Sequence, residues 1–469
     1  MRCRSRAADR ACVASKTRKP SRKPRAAAED EARLKKANEP GELSAKFHPF
    51  YEGKIEIGLK APVRTYDDFA IWYTPGVARP CLEIAKDPER VYHLTNKWNN
   101  VAIVTDGSRV LGLGDIGPEA GLPVMEGKSL LFKFLGGVDA FPICLKTKDP
   151  DAIVETVQRI TPSFGGINLE DIAQPKCFYV LDRLRETLEI PVWHDDQQGT
   201  ATIVVAGVLN AVNVVGKKLS DVRVAMVGAG ASNVRTAVIL MGAGVRPGNL
   251  VLVDSKGILH PGRTDLQGAY REKWDLARRT NAEGRTGAPA EAIEGADLLI
   301  AASRPGPGVI RKEWVRTMAD DAIVFAIANP VPEIWPWEAK EAGARIVATG
   351  RSDFPNQVNN SLGFPGIFRG TLDVRARTIT DEMCLAAARE LALIAEENGL
   401  REDLIVPTME QEDVFTREAV AVGLKAIDQG IARRKASRAE LHARAKDIIG
   451  RARSQARHLM AQGFIRAPP

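Results

Sequence analysis

The stretch 223–254, RVAMVGAGASNVRTAVILMGAGVRPGNLVLVD, decides the fold. An apolar run at 223–227 breaks at Gly228-Ala229-Gly230, Ala231 to Met241 can run as a helix, and a second apolar run, 250–253, ends at Asp254. Strand, glycine turn and helix in that order read as a dinucleotide cradle, with a plain tight strand–helix turn as the alternative. The glycines allow a tight turn and close approach of a pyrophosphate, which rests on the helix N-terminus. Asn233 stands in the third glycine's place, which predicts a slightly wider helix–strand contact and a retained site. Gly228, Ala229, Gly230 and Ala231 are the candidate cofactor-binding residues, and Asp254, about 24 positions past Gly230, is placed to hydrogen-bond the adenosine ribose. An acid there favours NAD, whereas Lys256 could pair with a 2′-phosphate, so NAD and NADP both stay open.

Outward from this unit, apolar runs at 297–302, 322–328 and 345–348 alternate with segments able to form helices, the pattern of a doubly wound parallel sheet over 201–400. Upstream, 101–105 ends at Asp106-Gly107, 140–145 reads as a second buried strand, and 150–161 has helical periodicity, giving another α/β domain over 45–200. Residues 401–469 read as a C-terminal helical segment. The expected class is α/β: a Rossmann-like doubly wound parallel sheet, an N-terminal α/β catalytic domain and C-terminal helices. A literal GxGxxG stands at Gly112, Gly114 and Gly117, but Pro118, Gly121 and Pro123 follow; no helix is expected to start there, and the motif reads as a decoy.

At 469 residues, 44% hydrophobic and 27% charged, the composition is that of a soluble globular protein of two or three domains. No window of 18 apolar residues exists, so no membrane span is expected. Six cysteines without a CxxC pair point to a reducing compartment, and the cytoplasm is the expected location. The net charge of +7 is misleading, because residues 1–25 hold ten Lys/Arg against Asp9 and leave the remainder slightly acidic. Residues 1–40 read as a basic disordered tail, whose composition also suits an organelle transit peptide. No aromatic residue interleaves with its cations, so a nucleic-acid partner is not expected.

Two carboxylate pairs, Glu170-Asp171 in INLEDIAQPKCF and Asp195-Asp196 in VWHDDQQGTA, each follow an apolar stretch, as loops at strand ends do. Three carboxylates converging there would suit Mg²⁺ or Mn²⁺. Taken singly, such a pair is more often solvated loop acids or a helix N-cap than a metal site. Lys128, at the edge of the apolar SLLFKFLGG, is a candidate base if desolvated, or else snorkels to solvent. Tyr73, before a Pro-Gly turn, reads as core packing or as a proton donor.

Together, YTPGVA (73–78), VTDGSRVLGLGDIG (104–117), MEGKSLLFK (125–133), the two acidic motifs, IANPVPEI (327–334) and GRSDFPNQVNNSLGFPGIFRG (350–370) resemble a malic enzyme of the shorter prokaryotic type, over roughly residues 45–400. The resemblance implies metal-dependent oxidative decarboxylation of (S)-malate with NAD or NADP, a homo-oligomer, and no acyltransferase-like domain such as longer relatives append. It implies Tyr73 as proton donor, Lys128 as general base, Asp195 as the partner that orients Lys128 or the metal site, and Glu170, Asp171 and Asp196 as metal ligands. Arg109 would clamp a malate carboxylate, Asn329 would face cofactor and substrate, and Asn359 and Asn360 would hydrogen-bond the substrate. Two rivals share this sequence: a malolactic-type conversion of malate to lactate, and a non-catalytic dinucleotide-binding regulator.

Overall fold

The computed structural model describes residues 25–469. The chain divides into a compact unit, Gly53–Ala467, and a separate N-terminal unit. The described part of the latter is a helix, Arg25–Tyr51, RAAAEDEARLKKANEPGELSAKFHPFY. This corrects the expected disordered tail for residues 25–40: Ala, Glu, Lys and Arg are strong helix formers even where they cannot build a core. Residues 1–24, the rest of the predicted tail, lie outside the described residues.

The main unit holds two parallel sheets. In the first, β1 (Asn100–Thr105), β2 (Asp139–Cys144), β3 (Gly166–Leu169) and β4 (Val192–His194) stand in the order β2-β1-β3-β4, with Val101 opposite Ala140 on one side and Gly166 on the other. In the second, β5 (Val224–Val227), β6 (Leu250–Asp254), β7 (Gly257–Ile258), β8 (Leu298–Ala301), β9 (Ile323–Ala326) and β10 (Ile346–Thr349) run in the order β10-β9-β8-β5-β6-β7. Only β7 is antiparallel, folded back on β6. These strands are short apolar runs because both faces are covered. Along β5, Val224 and Met226 enter the larger hydrophobic core, and Ala225 and Val227 the smaller one on the opposite face.

One expectation fails in an instructive way. A helix, Pro118–Gly136, starts directly after Gly117 of the literal glycine motif. Pro118 occupies the first helical position, where a missing N–H costs nothing and the fixed φ is already helical. Gly117 turns the chain into it at φ +86°, in the range that favours glycine. Helices Phe364–Asp373, Asp381–Glu397, Val414–Asp428 and Arg438–Ala461 close the unit. The last of them packs on Val414–Asp428 and on Pro118–Gly136, where Arg453 Nε donates to the Phe134 carbonyl at 3.2 Å. It braces the helix that carries Lys128. Among the described residues, no helix is long and apolar enough to cross a membrane.

Candidate active site

The site grows from the carboxyl ends of β1, β3 and β4, which lie side by side in the first sheet. Arg109 follows β1, Glu170 and Asp171 follow β3, and Asp195 and Asp196 follow β4, where a single π-helical turn, Asp195–Gly199, opens the next helix. Parallel sheets gather loops at this edge, and π turns recur at functional sites. The loop after β1 is clipped to Asp171: Arg109 N donates to the Asp171 carbonyl at 2.9 Å, and Leu111 N to Asp171 Oδ1 at 3.2 Å.

Lys128 projects from the middle of its helix into this edge and is buried. Its ammonium contacts Asp195 Oδ2 and lies 2.9 Å from Glu170 Oε1. The Phe364 ring lies beneath it, with the centroid 4.3 Å from Nζ. Burial alone would lower the lysine pKa, but Asp195 and Glu170 outweigh it and hold the group above its ordinary value. Asp195, fully buried, also accepts from Asn360 Nδ2 and from Trp193 Nε1 at 3.0 Å. Glu170 Oε2 accepts from Asn168 Nδ2 at 2.9 Å.

Glu170, Asp171 and Asp196 each offer one oxygen within 4.8 Å of the other two. Burial first, then crowding by one another, pushes Asp171 up to about 8 and raises Glu170 well above the carboxylate range. Burial likewise raises Asp196, against the pull of Lys128, the Asp171 N–H and Arg109. Asp171 Oδ2 is buried without a hydrogen-bond partner. Three hard oxygen donors, short of countercharge and with a lone pair to spare, fit a divalent cation such as Mg²⁺ or Mn²⁺. His194 is buried and neutral, its pKa pushed down to about 3 chiefly by burial, so it adds no positive charge here.

The second sheet presents its carboxyl edge to the same region. Gly228 (φ +98°) turns the chain so close to β8 that a Cβ there would stand 2.4 Å from the Ala302 carbonyl oxygen. A Cβ on Gly230 would meet nothing within 4 Å, which leaves room over the turn for a pyrophosphate. Ala231 begins the helix Ala231–Ala243, and Asn233, in the third glycine's place, sends Nδ2 toward the Val227 and Ile300 carbonyls at 3.3 and 3.4 Å. Asp254 ends β6 as expected, but its carboxylate is already engaged: Arg263 grips both oxygens at 3.1 Å, and Lys273 lies 3.6 Å away. Lys256 turns to Asp265 at 3.1 Å.

Asn329 follows β9, beside Gly350 after β10, and Asn359 Nδ2 donates to the Gly350 carbonyl at 3.1 Å. The two edges meet at the Asn360–Asp195 contact and at Gly112, where a Cβ would lie 2.2 Å from the Asn329 carbonyl oxygen. Thus Lys128, Asp195, the three carboxylates and Asn360 share one cluster, with Arg109, Asn329 and Asn359 on loops around it. Tyr73 is not enclosed with them. It ends the short helix Asp68–Trp72 and is 71% exposed. Residues absent from the sequence reading are Asn168, Trp193, Phe364, Arg263 and Lys273. Asn168 and Trp193 each stand two positions before a candidate acid on a strand, so strand alternation puts them on the same face. Phe364, Arg263 and Lys273 carried no such signal.

Comparison with known proteins agrees with this geometry. Residues 52–185 match the malic enzyme N-terminal domain, and residues 197–427 the malic enzyme NAD-binding domain. The chain is 51% identical over 382 residues (81% of this chain, 78% of the relative) to the NAD-dependent malic enzyme of Geobacillus stearothermophilus. It is 49% identical over 392 residues (84% and 94%) to the bifunctional malic/malolactic enzyme of Bacillus subtilis. The crystal structure of Entamoeba histolytica malic enzyme superposes with a TM-score of 0.92 at 47% identity, covering 96% of this chain and 93% of that one. With an ammonium set between two acids at the carboxyl edge of one parallel sheet, and a glycine turn at the edge of the next, the chain belongs to the malic enzyme family.

Proposed function

We propose that this malic enzyme oxidatively decarboxylates (S)-malate with Lys128 as the general base and Glu170, Asp171 and Asp196 as the holders of a divalent ion. The observation that carries this reading is the position of Lys128 Nζ, between Asp195 and Glu170 and beside the carboxylate trio. Bound, the ion would supply the charge that polarises the C2 oxygen, and the dinucleotide the acceptor for the C2 hydride. Lys128 takes the C2 hydroxyl proton. Facing two carboxylates it is an ammonium at rest, so it must first release that proton to solvent; a cation held by Glu170, Asp171 and Asp196 would favour the release by taking up the carboxylate charge that now holds the ammonium. Asp195, with Asn360 and Trp193, fixes where Nζ points. Arg109 offers a guanidinium suited to bidentate grip of a malate carboxylate. Asn329, Asn359 and Asn360 donate to the substrate, and Tyr73 protonates C3 after CO₂ leaves.

Tyr73 can do this in a second copy's site. Residues 55–82 expose Ile57, Leu59, Tyr66, Ile71, Trp72 and Leu82 along with Tyr73, and the helix Ala78–Lys86 buries no residue. Such a run of large apolar side chains marks a protein interface. A homo-oligomer in which each chain carries Tyr73 to its partner covers the surface and completes the site. Co-expressed Tyr73→Phe and Lys128→Ala chains would then regain roughly a quarter of the wild-type rate, since half of random dimers are mixed and each holds one intact site. No recovery would place Tyr73 in its own chain's site.

The reaction is tested by following reduced-dinucleotide formation with (S)-malate and Mn²⁺, NAD against NADP, with and without chelator. Metal-dependent reduction with pyruvate as product supports the reading. The Bacillus subtilis relative is named for both reactions, so lactate is measured alongside; lactate without free reduced cofactor would turn the assignment to the malolactic reaction.

A further inference from the structure

We propose that Glu333 is a positioning residue that ties the loop after β8 to the loop after β9, and thereby sets the dinucleotide turn and Asn329 in register; the role rests on the dinucleotide and malate reading above. Glu333 is completely buried, and its partners are uncharged donors. Oε1 accepts from Ser303 N at 2.8 Å and from Ser303 Oγ at 3.3 Å, while Oε2 accepts from Ala328 N at 3.1 Å. One oxygen therefore serves each loop. The same two segments are laced at the backbone: Gly306 N donates to the Val331 carbonyl at 3.2 Å, and Ile310 N to the Glu333 carbonyl at 3.1 Å.

A carboxylate buried without a cation is costly, and burial pushes this one up to about 7. A carboxylate offers each loop its own acceptor oxygen; a glutamine in the same pose keeps one and turns an N–H₂ toward the other N–H. What it holds are two contact points of the site. Ser303 Cα would stand 2.9 Å from a Cβ on Gly228, so Ser303 limits the glycine turn. Asn329 directly follows Ala328, and its carbonyl bears on Gly112 of the Arg109 loop, as does Pro305 two residues after Ser303.

The test is Glu333→Gln, matched in size, in the full-length protein. Dinucleotide affinity is measured by calorimetry without malate, kcat and both KM values by steady-state kinetics, and folding by thermal melting. A freed loop with an orphaned N–H should weaken dinucleotide binding and raise the malate KM by about 5- to 30-fold, with kcat changed less than either. A lower melting temperature with affinity and malate KM both within about twofold of wild type would make Glu333 merely structural and overturn the proposal. If Glu333→Gln does not fold, Glu333→Asp keeps the charge but falls a methylene short of spanning both loops; it should shift the same constants, and wild-type constants would overturn the tie. Should wild-type protein oxidise no malate, the reaction reading fails by itself, and dinucleotide affinity alone decides on Glu333.

Discussion

Two parallel sheets turn their carboxyl edges toward each other in this chain, and they are built of opposite materials. The edge of the first sheet is side-chain charge: Lys128 with Glu170, Asp171, Asp195 and Asp196, four acids and one ammonium within a largely buried cluster. The edge of the second sheet, at the turn after β5 and the loops after β8 and β9, is mostly bare backbone. Gly228 lets the turn press against Ala302 and Ser303, Gly230 leaves space over it, and the buried acid Glu333 faces N–H groups. Proton transfer needs ionisable groups that set one another's pKa, so charge is concentrated at the cost of stability. Gripping a large cofactor needs room and aligned backbone donors, which glycine supplies and side chains would block.

The strongest way to break this division is at Lys128. Lys128→Ala should lower kcat by ~10²–10⁴ while leaving dinucleotide affinity and malate KM nearly unchanged. A variant that keeps kcat within about tenfold would take Lys128 out of proton transfer. The matching change on the backbone edge is Gly228→Ala. A methyl 2.4 Å from the Ala302 oxygen, at φ +98°, forces the turn open. Strain of about 1–3 kcal/mol there should weaken dinucleotide binding by roughly 5- to 150-fold, with kcat at saturating cofactor little changed. If Gly228→Ala mainly lowers kcat, or Lys128→Ala mainly weakens cofactor binding, the two edges do not divide the work.

Charge crowding also leaves a signature in stability. Asp171, pushed up to about 8 by burial and Asp196, binds a proton in the folded chain that the unfolded chain has already lost. Glu170 and Asp196 shift the same way. From the ordinary carboxylate range up to about pH 8 the folded state therefore holds more protons, so stability falls as pH rises through that window. With chelator, the protein should melt at a lower temperature near pH 8 than near about pH 6. Mn²⁺ should raise the melting temperature and flatten the difference, because the cation replaces the protons. Equal melting at both pH values without metal would contradict the crowding.

The charged edge was easier to read from sequence than its supports. Adjacent acids after apolar runs announce themselves, and strands covered on both faces appear as unbroken apolar runs such as 223–227 and 250–253. What holds these acids comes from far along the chain. Phe364 under Lys128 and Asn360 on Asp195 meet them only in the folded structure, and Arg263 reaches Asp254 through a turn with no periodic pattern. The helix at Pro118 was hidden because prolines and glycines usually end helices, while the first helical position is the exception. The helix from Arg25 is hidden in the sequence because a basic, Ala-rich composition suits a tail that builds no core as well as it suits a helix.

The mildest substitution probes the place where the two edges touch. Gly112, the first glycine of the literal motif, lies where a Cβ would stand 2.1 Å from Pro305 Cγ and 2.2 Å from the Asn329 carbonyl oxygen. Its φ is not positive, so an alanine there is not strained by its own backbone; it acts by pushing the Arg109 loop away from the cofactor-side loops. Dinucleotide binding without malate does not need that approach and should stay near wild type. On the function proposed above, malate is gripped from both sides, by Arg109 on one loop and Asn329 on the other. Gly112→Ala should therefore raise the malate KM by roughly 3- to 10-fold, the loss expected when one hydrogen-bonding group is drawn out of reach. A larger loss in dinucleotide affinity than in malate KM would mean that the Arg109 loop supports the cofactor instead, and that the edges meet as a binding surface for both ligands.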